Sequence, residues 1–304
     1  MKKIAILIPC YNEEKTITKV VVDFKQQLAD ADIYVYDNNS KDNTYKLALG
    51  AGAIVRKEFR QGKGFVVQRM FREIDADFYV LVDGDDTYPA EDVKTLIQKA
   101  EEGADIIVGD RLSNGTYANE NKRGFHNFGN TLVRSLVNIL FKSDLKDIMS
   151  GYRVFSKDFV KNYPVLVGGF QLETDMTIFA LDRNFIITEV PIVYRDRPVG
   201  SVSKLNTFSD GARVIVTIFN LFRYYRPFLY FSLLSAFFFL GGVLIGLPVI
   251  IEYIDTQYIA KVPSAILAAT CMMLSALSFI CGIILDAVKY ANKEMFELNM
   301  KKFK

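Results

Sequence analysis

The sequence predicts an α/β domain with a mostly parallel sheet, followed by two helices that cross a membrane. In the first part of the 304-residue chain, short apolar runs alternate with segments of helical periodicity, as strands joined by crossover helices do. Nearer the C-terminus, residues 228–251 and 262–285 form two stretches of 24 residues without one charged side chain. Each stretch is long enough to cross the hydrocarbon core of a bilayer.

The strands and helices of the α/β domain are predicted in a regular order. Bounded apolar runs predict five strands: Ile4–Ile8, Ile33–Tyr36, Ala53–Arg56, Phe78–Val82 and Asp105–Val108. Apolar residues three or four positions apart predict the helices between them: Lys15–Ala29, Thr44–Ala51, Gly64–Ile74 and Glu91–Glu101. Because each helix connects two parallel strands, we expect helices on both faces of the sheet.

Polar residues follow each predicted strand at its carboxyl end. Ligands of open α/β sheets bind beyond these ends, so we expect the five loops to line one cleft. The loops are Pro9–Glu14, Asp37–Thr44, Arg60–Gly64, Asp83–Asp86 and Gly109–Arg111.

The fourth loop is the most distinctive, because three carboxylates surround one glycine directly after an apolar strand. Asp83 and Asp85 can present oxygens to a hard divalent cation that also holds phosphate. In that interpretation Asp37 accepts hydrogen bonds from the base or ribose of a nucleotide. A solvated turn without a ligand is the alternative.

Composition and absent motifs argue against several classes of protein. The net charge of +2 does not suit a general nucleic-acid binder. With one histidine, His126, and three cysteines without metal-ligand spacing, zinc sites and histidine-based triads are not expected. The chain has neither the dinucleotide-binding glycine motif after its first strand nor a P-loop, which argues against a dehydrogenase or P-loop nucleoside triphosphatase.

The charge-free stretches predict a membrane hairpin; two buried helices of a soluble domain are the alternative. Basic residues precede the first stretch and follow the second, so the positive-inside tendency places both termini in the cytoplasm. We therefore predict an integral protein of the cell membrane, or of the endoplasmic reticulum in a eukaryote. The predicted divisions are a cytosolic domain 1–209, an interfacial helix 210–227, a hairpin 228–288 and a basic tail 289–304. A soluble amphipathic helix is the alternative for 210–227.

The motifs at the strand ends occur in a fixed order and spacing. They are Pro9-Cys-Tyr11-Asn-Glu13, Asp37–Thr44, Gly62-Lys63-Gly64, Asp83-Gly84-Asp85 and Gly109-Asp-Arg111. Together they resemble the family 2 glycosyltransferases of the GT-A fold. Asp147–Arg153, Gly169–Glu173 and Val190–Leu205, with the two apolar stretches, resemble more narrowly the polyprenyl-phosphate glycosyltransferases, which include dolichyl-phosphate mannose synthase and bactoprenol glucosyltransferases.

The resemblance implies roles for individual residues. Those implied to bind the nucleotide are Pro9, Tyr11, Glu13, Asp37, Lys63, Asp83 and Gly84. Asp83 and Asp85 match the pair whose second member binds Mg²⁺ or Mn²⁺ on the diphosphate, and the implied catalytic residues are Asp85, Arg111 and Glu173. Those implied to bind phosphate of the sugar donor or the acceptor are Arg111, Arg123, Arg197, Ser203 and Lys204.

Two departures from the pattern limit what the resemblance implies. Dolichyl-phosphate mannose synthases often have Leu-Gln where this chain has Asp86-Thr87, which leaves a third metal ligand unassigned. One extra residue between Gly200 and Ser203 weakens an assignment of mannose.

The function that follows is metal-dependent, inverting transfer of a sugar from a nucleotide-sugar, with a UDP-sugar favoured, to a polyprenyl phosphate in the bilayer. A phosphate acceptor is already largely ionised near neutral pH and needs no strong base. The alternatives are GDP-mannose-dependent dolichyl-phosphate mannose synthase, transfer to a hydroxyl with Glu173 or Asp175 as base, and a non-catalytic membrane scaffold. Glu173 and Asp175 are otherwise an acid pair favoured at a helix N-terminus. Apolar hairpins commonly associate, so the sequence leaves open whether copies of the chain form a homo-oligomer.

Overall fold

A computed structural model describes residues 2–113, 124–165, 172–195, 219–220 and 222–302; for 124–130 and 302 it describes the backbone only. The chain divides into two compact units, Met1–Thr207 and Phe208–Lys304. Most of the predicted interfacial helix at 210–227 lies outside the described residues.

The first unit is built on a seven-stranded sheet with the order β3-β2-β1-β4-β6-β5-β7. Its strands are β1 Ile4–Cys10, β2 Asp32–Asp37, β3 Ile54–Lys57, β4 Phe78–Leu81, β5 Ile106–Asp110, β6 Arg153–Ser156 and β7 Ile187–Pro191. The described pairings are parallel except for those of β6, which runs antiparallel to both β4 and β5. The carboxyl ends of β1, β2 and β4 therefore meet at one edge.

Helices of the first unit connect these strands. They are α1 Ile17–Gln27, α2 Thr44–Gly50, α3 Lys63–Glu73, α4 Val93–Glu101, α5 Gly124–Phe141, α6 Lys157–Asn162 and α7 Leu172–Asp182. A short 3₁₀ turn, Ala90–Asp92, leads into α4. Helix α6 begins directly after β6, where the Ser156 hydroxyl accepts a hydrogen bond from the backbone N–H of Phe159 at 3.2 Å, as an N-cap serine does.

Two apolar layers form the core because successive strand residues point to opposite faces of the sheet. In β1, Ile6 and Ile8 face the layer that α1 and α4 cover. Ala5 and Leu7 face the other layer, which contains buried residues of α3, α6 and α7. Helices thus cover both faces, and the predicted mostly parallel α/β fold is confirmed.

The five predicted strands and four predicted helices all form, with ends that differ by at most two residues. Strands β6 and β7 were not predicted. Strand β6 begins with a fully buried arginine, Arg153, and so lacks the apolar run that indicates a strand. Strand β7 includes Glu189 and ends at Pro191, which is tolerated because β7 lies at the edge of the sheet.

The second unit contains two long helices, α8 Pro227–Thr256 and α9 Val262–Lys302. They are the two helices in the described residues that are long and apolar enough to cross a membrane. They pack against each other: the hydroxyls of Ser235 and Ser275 lie 3.0 Å apart. Helix α9 continues well beyond residue 285, so most of the predicted basic tail is helical.

A cluster around Glu73 joins β2, β3 and α3. The Glu73 carboxylate accepts hydrogen bonds from the Tyr36 hydroxyl at 2.8 Å and from Arg69 Nε at 2.7 Å, and also from Arg56. Burial alone would raise the pKa of Glu73, but the hydrogen bonds from Arg69, Tyr36 and Arg56 lower it to about 2.

This cluster predicts a pH-dependent contribution to stability. Because the folded pKa of Glu73 is depressed, its contribution is full above the unfolded pKa of about 4.3 and is lost as the pH falls toward 2. We expect Glu73→Gln to lower the free energy of unfolding by about 2 kcal/mol at pH 7. The thermal unfolding midpoints of the two proteins, followed by near-ultraviolet circular dichroism in detergent, are expected to converge as the pH falls to about 2. A constant difference across this range would contradict the expectation.

Candidate active site

The first and fourth loops meet at the carboxyl edge of the sheet. Cys10 and Asp37 are paired residues at the ends of β1 and β2. The Thr16 hydroxyl, just before α1, donates a hydrogen bond of 2.6 Å to the carbonyl oxygen of Gly84. This bond fixes the Asp83-Gly84-Asp85 segment against the loop that follows β1.

Four of the predicted site carboxylates surround the thiol of Cys10. Burial, followed by the negative charges of Glu13, Asp37, Asp83 and Asp85, raises the pKa of Cys10 well above its ordinary value. The structure therefore brings these acids together, as the sequence predicts. Gly84 lies directly over the thiol, because a Cβ there would be 2.7 Å from Cys10 Sγ.

Asn38 shapes the loop between β3 and α3, a role that the sequence did not reveal. Its side-chain nitrogen donates to the carbonyl oxygens of Glu58 and Arg60 at 2.9 and 2.8 Å. Its side-chain oxygen accepts from the N–H of Gly62 at 2.7 Å. Asn38 is 4% exposed, so this network holds the start of α3, and with it Lys63, in place.

Lys63 joins two of the predicted site acids. Its ammonium lies 2.5 Å from Asp83 Oδ1 and 2.6 Å from Glu173 Oε1. Although burial opposes the charged form, the two carboxylates raise the pKa of Lys63 far above its ordinary value. A predicted nucleotide-binding residue, a predicted metal ligand and a predicted catalytic residue thus form one charged cluster.

Arg153 connects the segment before β6 to the helix that carries one member of this cluster. Arg153 is fully buried and donates to the carbonyl oxygens of Ser150 and Ile148 at 2.8 and 2.7 Å. It also donates to the Thr177 hydroxyl at 2.9 Å, one turn along α7 from Glu173. Arg153 therefore links the 148–151 segment to the helix that carries Glu173.

Gly151 is required because it lies against Asp83: a Cβ added at Gly151 would be 2.5 Å from Asp83 Oδ2. We expect Gly151→Ala to displace this carboxylate and to lower the rate of sugar transfer by about tenfold to a hundredfold. The matched control is Gly50→Ala, since a Cβ at Gly50 meets nothing within 4 Å. Initial rates with equal amounts of folded protein test the prediction, and equal rates for both variants would contradict it.

The neighbouring residues Asp85 and Asp86 contact different side chains. Asp85 is 4% exposed, and its Oδ1 accepts a hydrogen bond of 2.7 Å from the Thr87 hydroxyl. Thr87 stands where the dolichyl-phosphate mannose synthases often have glutamine, and its hydroxyl holds the Asp85 carboxylate in place. Asp86 has a left-handed backbone, with φ of 60°, and forms an ion pair of 2.7 Å with Lys19.

The donor set of Asp83 and Asp85 suits Mg²⁺ or Mn²⁺, which prefer hard carboxylate oxygens. The Lys63 ammonium already places a positive charge 2.5 Å from Asp83 Oδ1. Within the described residues, no group of three or more histidine, cysteine or acidic side chains could hold a metal ion. A cation here would therefore need further ligands, which water and a nucleotide diphosphate can supply.

Arg111 is held by Asp147 in a two-point ion pair. Its Nε and Nη2 lie 2.7 and 2.9 Å from the two carboxylate oxygens. Although burial would raise the pKa of Asp147, the Arg111 guanidinium lowers it. Arg111 also lies over the Tyr194 ring, 5.7 Å from its centroid. Its planar group is thus oriented by its neighbours.

The remaining predicted residues have other partners than Lys63 or lie outside the described part of the chain. Asp175, the second base candidate, accepts a hydrogen bond of 2.7 Å from the Tyr163 hydroxyl. Glu13 is fixed at its backbone N–H by the Thr44 hydroxyl at 2.8 Å, while Pro9 and Tyr11 are partly buried beside it. The predicted residues outside the described part of the chain are Arg123, Arg197, Ser203 and Lys204.

Comparison with known families identifies the class of protein to which this chain belongs. The family model described as "Glycosyl transferase family 2" matches residues 5–163, which include the four acids around Cys10. The chain belongs to this family. The predicted resemblance is thereby confirmed, and the protein is a glycosyltransferase.

Relatives of this glycosyltransferase include two from Haloferax volcanii. "Glycosyltransferase AglJ" is 28% identical over 298 residues, covering 97% of this chain and 96% of the relative. A "Dolichyl-phosphate hexose transferase" is 28% identical over 211 residues, covering 69% of this chain and 90% of the relative. The first similarity extends over nearly the whole chain, including the two apolar helices.

Solved structures share the fold of the glycosyltransferase. Glucosyl-3-phosphoglycerate synthase from Mycobacterium tuberculosis, solved with Mn²⁺, UDP and phosphoglyceric acid, matches with a TM-score of 0.57 and 23% identity. The match covers 73% of this chain and 78% of that one. The predicted GT-A-like fold is thus confirmed.

Proposed function

We propose that this glycosyltransferase moves a sugar from a nucleotide-sugar, in the first instance a UDP-sugar, to a polyprenyl phosphate at a membrane surface. One observation carries the proposal: Asp83, Asp85, Lys63 and Glu173 gather at the carboxyl edge of the sheet. In the same chain, α8 and α9 are long enough to hold the enzyme at the bilayer that contains such an acceptor. A relative named for dolichyl-phosphate hexose transfer supports the acceptor class.

The cleft has the charges that departure of a nucleoside diphosphate requires. Asp83 and Asp85 would hold a divalent cation, which when bound supplies electrostatic stabilisation of the charge that develops on the diphosphate. Lys63 contributes a further positive charge beside Asp83. The cleft thereby stabilises the leaving group by fixed charges rather than by proton transfer.

The contacts of Glu173 favour a phosphate acceptor over a hydroxyl. A hydroxyl acceptor needs a base within hydrogen-bond reach of its proton, and Glu173 is already paired with Lys63 at 2.6 Å. Asp175 is bound by Tyr163. An ionised lipid phosphate needs neither residue as a base, so direct attack on the anomeric carbon and inversion of its configuration are the expected course.

The membrane helices complete the proposal. We infer that α8 and α9 form a hairpin in the bilayer with both chain ends on the cytoplasmic side, as the basic residues outside the apolar stretches indicate. Membership of a catalytic family argues against a scaffold without activity. GDP-mannose remains the alternative sugar donor. The shape of the pocket selects the base and the sugar, and sequence motifs do not encode that shape.

The decisive experiment incubates detergent-purified protein with Mg²⁺ or Mn²⁺, polyprenyl phosphate and a panel of UDP- and GDP-sugars. We expect a glycosylated lipid whose anomeric configuration, assigned by nuclear magnetic resonance, is opposite to that of the sugar donor. Release of free sugar alone, or preferred transfer to an added alcohol, would refute the phosphate acceptor. A retained configuration would refute the inversion.

A further inference from the structure

The Lys63 ammonium is paired with one carboxylate oxygen of Asp83, a predicted metal ligand. It lies 2.5 Å from Asp83 Oδ1 and 2.6 Å from Glu173 Oε1. The side chains of Lys63 and Glu173 are 16% and 8% exposed, whereas that of Asp83 is 30% exposed. The most accessible member of this three-residue cluster is therefore the predicted metal ligand.

Each member of the cluster is held by a different part of the fold. Lys63 opens α3, directly after Gly62, whose N–H is bound by Asn38. Asp83 is backed by Gly151. Glu173 lies in the first turn of α7, which Arg153 braces through Thr177. The long lysine side chain is the part of the cluster that can move without a shift of the backbone.

We propose that Lys63 is a resident counter-cation that competes with the divalent metal for Asp83 and exchanges onto the diphosphate when metal and sugar donor bind together. This inference rests on the proposed function, because it requires Asp83 to be a metal ligand. Two carboxylates and one ammonium leave the cluster with a net negative charge. The lysine thus holds the two acids together and still leaves the cluster attractive to a cation.

The exchange gives Lys63 two successive partners of the same charge. A divalent ion bound at Asp83 would repel the neighbouring ammonium, and a diphosphate bound with it would offer oxygens that accept hydrogen bonds from lysine. Lys63 would then exchange Asp83 for the diphosphate while its contact with Glu173 is kept. Lys63 is by this account a positioning residue for the metal-bound state.

The test compares Lys63→Met and Glu173→Gln in the full-length, detergent-purified protein. Binding of Mn²⁺ alone, without nucleotide, is measured by electron paramagnetic resonance. We expect Lys63→Met to tighten Mn²⁺ binding by about tenfold, because it removes the competing charge. Glu173→Gln is expected to weaken it several-fold, because the ammonium then has Asp83 as its remaining acid in the cluster. Lys63→Arg, which keeps the charge, serves as the matched control.

The two substitutions make the outcome decisive, since general damage to the site would move both affinities in the same direction. The proposal would be overturned if both affinities changed in the same direction, or if Lys63→Met bound Mn²⁺ no more tightly than the wild type. Absence of Mn²⁺ binding by the wild type and both variants would also overturn it. The binding assay contains neither sugar donor nor lipid. If the wild type makes no glycosylated lipid but the opposite shifts are found, the acceptor assignment fails and the role of Lys63 stands.

Discussion

Asp85→Asn is expected to lower the rate of glycolipid formation by about 1,000-fold at saturating substrates. Asp85 is buried, and its Oδ1 accepts a hydrogen bond from the Thr87 hydroxyl. An asparagine oxygen can accept the same hydrogen bond, so the local fold is retained while the charge that would hold a metal ion is lost. The measurement is the initial rate of lipid glycosylation across a titration of Mn²⁺, with the extent of folding checked by circular dichroism.

The adjacent residue supplies a control with the same change in chemistry. Asp86 pairs with Lys19 and has a left-handed backbone that asparagine also tolerates. We expect Asp86→Asn to retain the wild-type rate within about threefold, because it removes an ion pair at the edge of the cleft. Equal losses in the two variants would show that the loop needs its total charge rather than a metal ligand at position 85.

The first half of the fold could be predicted because its signals are local. Each of the first five strands contains an apolar run, and each of the first four is followed by a turn and a helical pattern before the next strand begins. Strand β6 is different: it pairs with β4 and β5 and begins with a buried arginine. Its stability depends on the Arg153 hydrogen bonds to residues 148, 150 and 177, and Thr177 lies 24 positions away, outside any short window of sequence around β6.

The predicted site shows the same division between local and distant signals. Asp37, Asp83 and Asp85 could be identified because each lies within a few residues of a strand end. Pairing of Lys63 with Glu173, 110 positions apart in the chain, depends on how α3 and α7 approach the cleft. The role of Gly151 is likewise a matter of packing, since its contact with Asp83 joins the ends of two neighbouring strands, β6 and β4, that are far apart in the sequence. Sequence motifs located the acids of the site, and the tertiary fold determined their partners.

Arg111→Met is expected to destabilise the first unit by about 3–5 kcal/mol, because it leaves the Asp147 carboxylate without its partner. The side chains of Arg111 and Asp147 are 12% and 3% exposed, so water cannot readily replace the lost contact. The measurement is the free energy of unfolding in urea, followed by near-ultraviolet circular dichroism. The chain has 16 tyrosines and no tryptophan, and tyrosine therefore provides the tertiary signal.

A double substitution separates the burial of an unpaired charge from the loss of packing. Arg111→Met with Asp147→Asn is expected to be less damaging than Arg111→Met alone, since the buried negative charge is then also removed. Lys99→Met is the control: Lys99 pairs with Glu102 at 2.6 Å, but the two side chains are 41% and 48% exposed, so we expect a loss of no more than about 0.5 kcal/mol. If the double variant is no more stable than Arg111→Met, the loss comes instead from the contacts of Arg111 with the Tyr88 hydroxyl and the Tyr194 ring. A stable Arg111→Met protein that has lost transfer would instead assign Arg111 to phosphate binding.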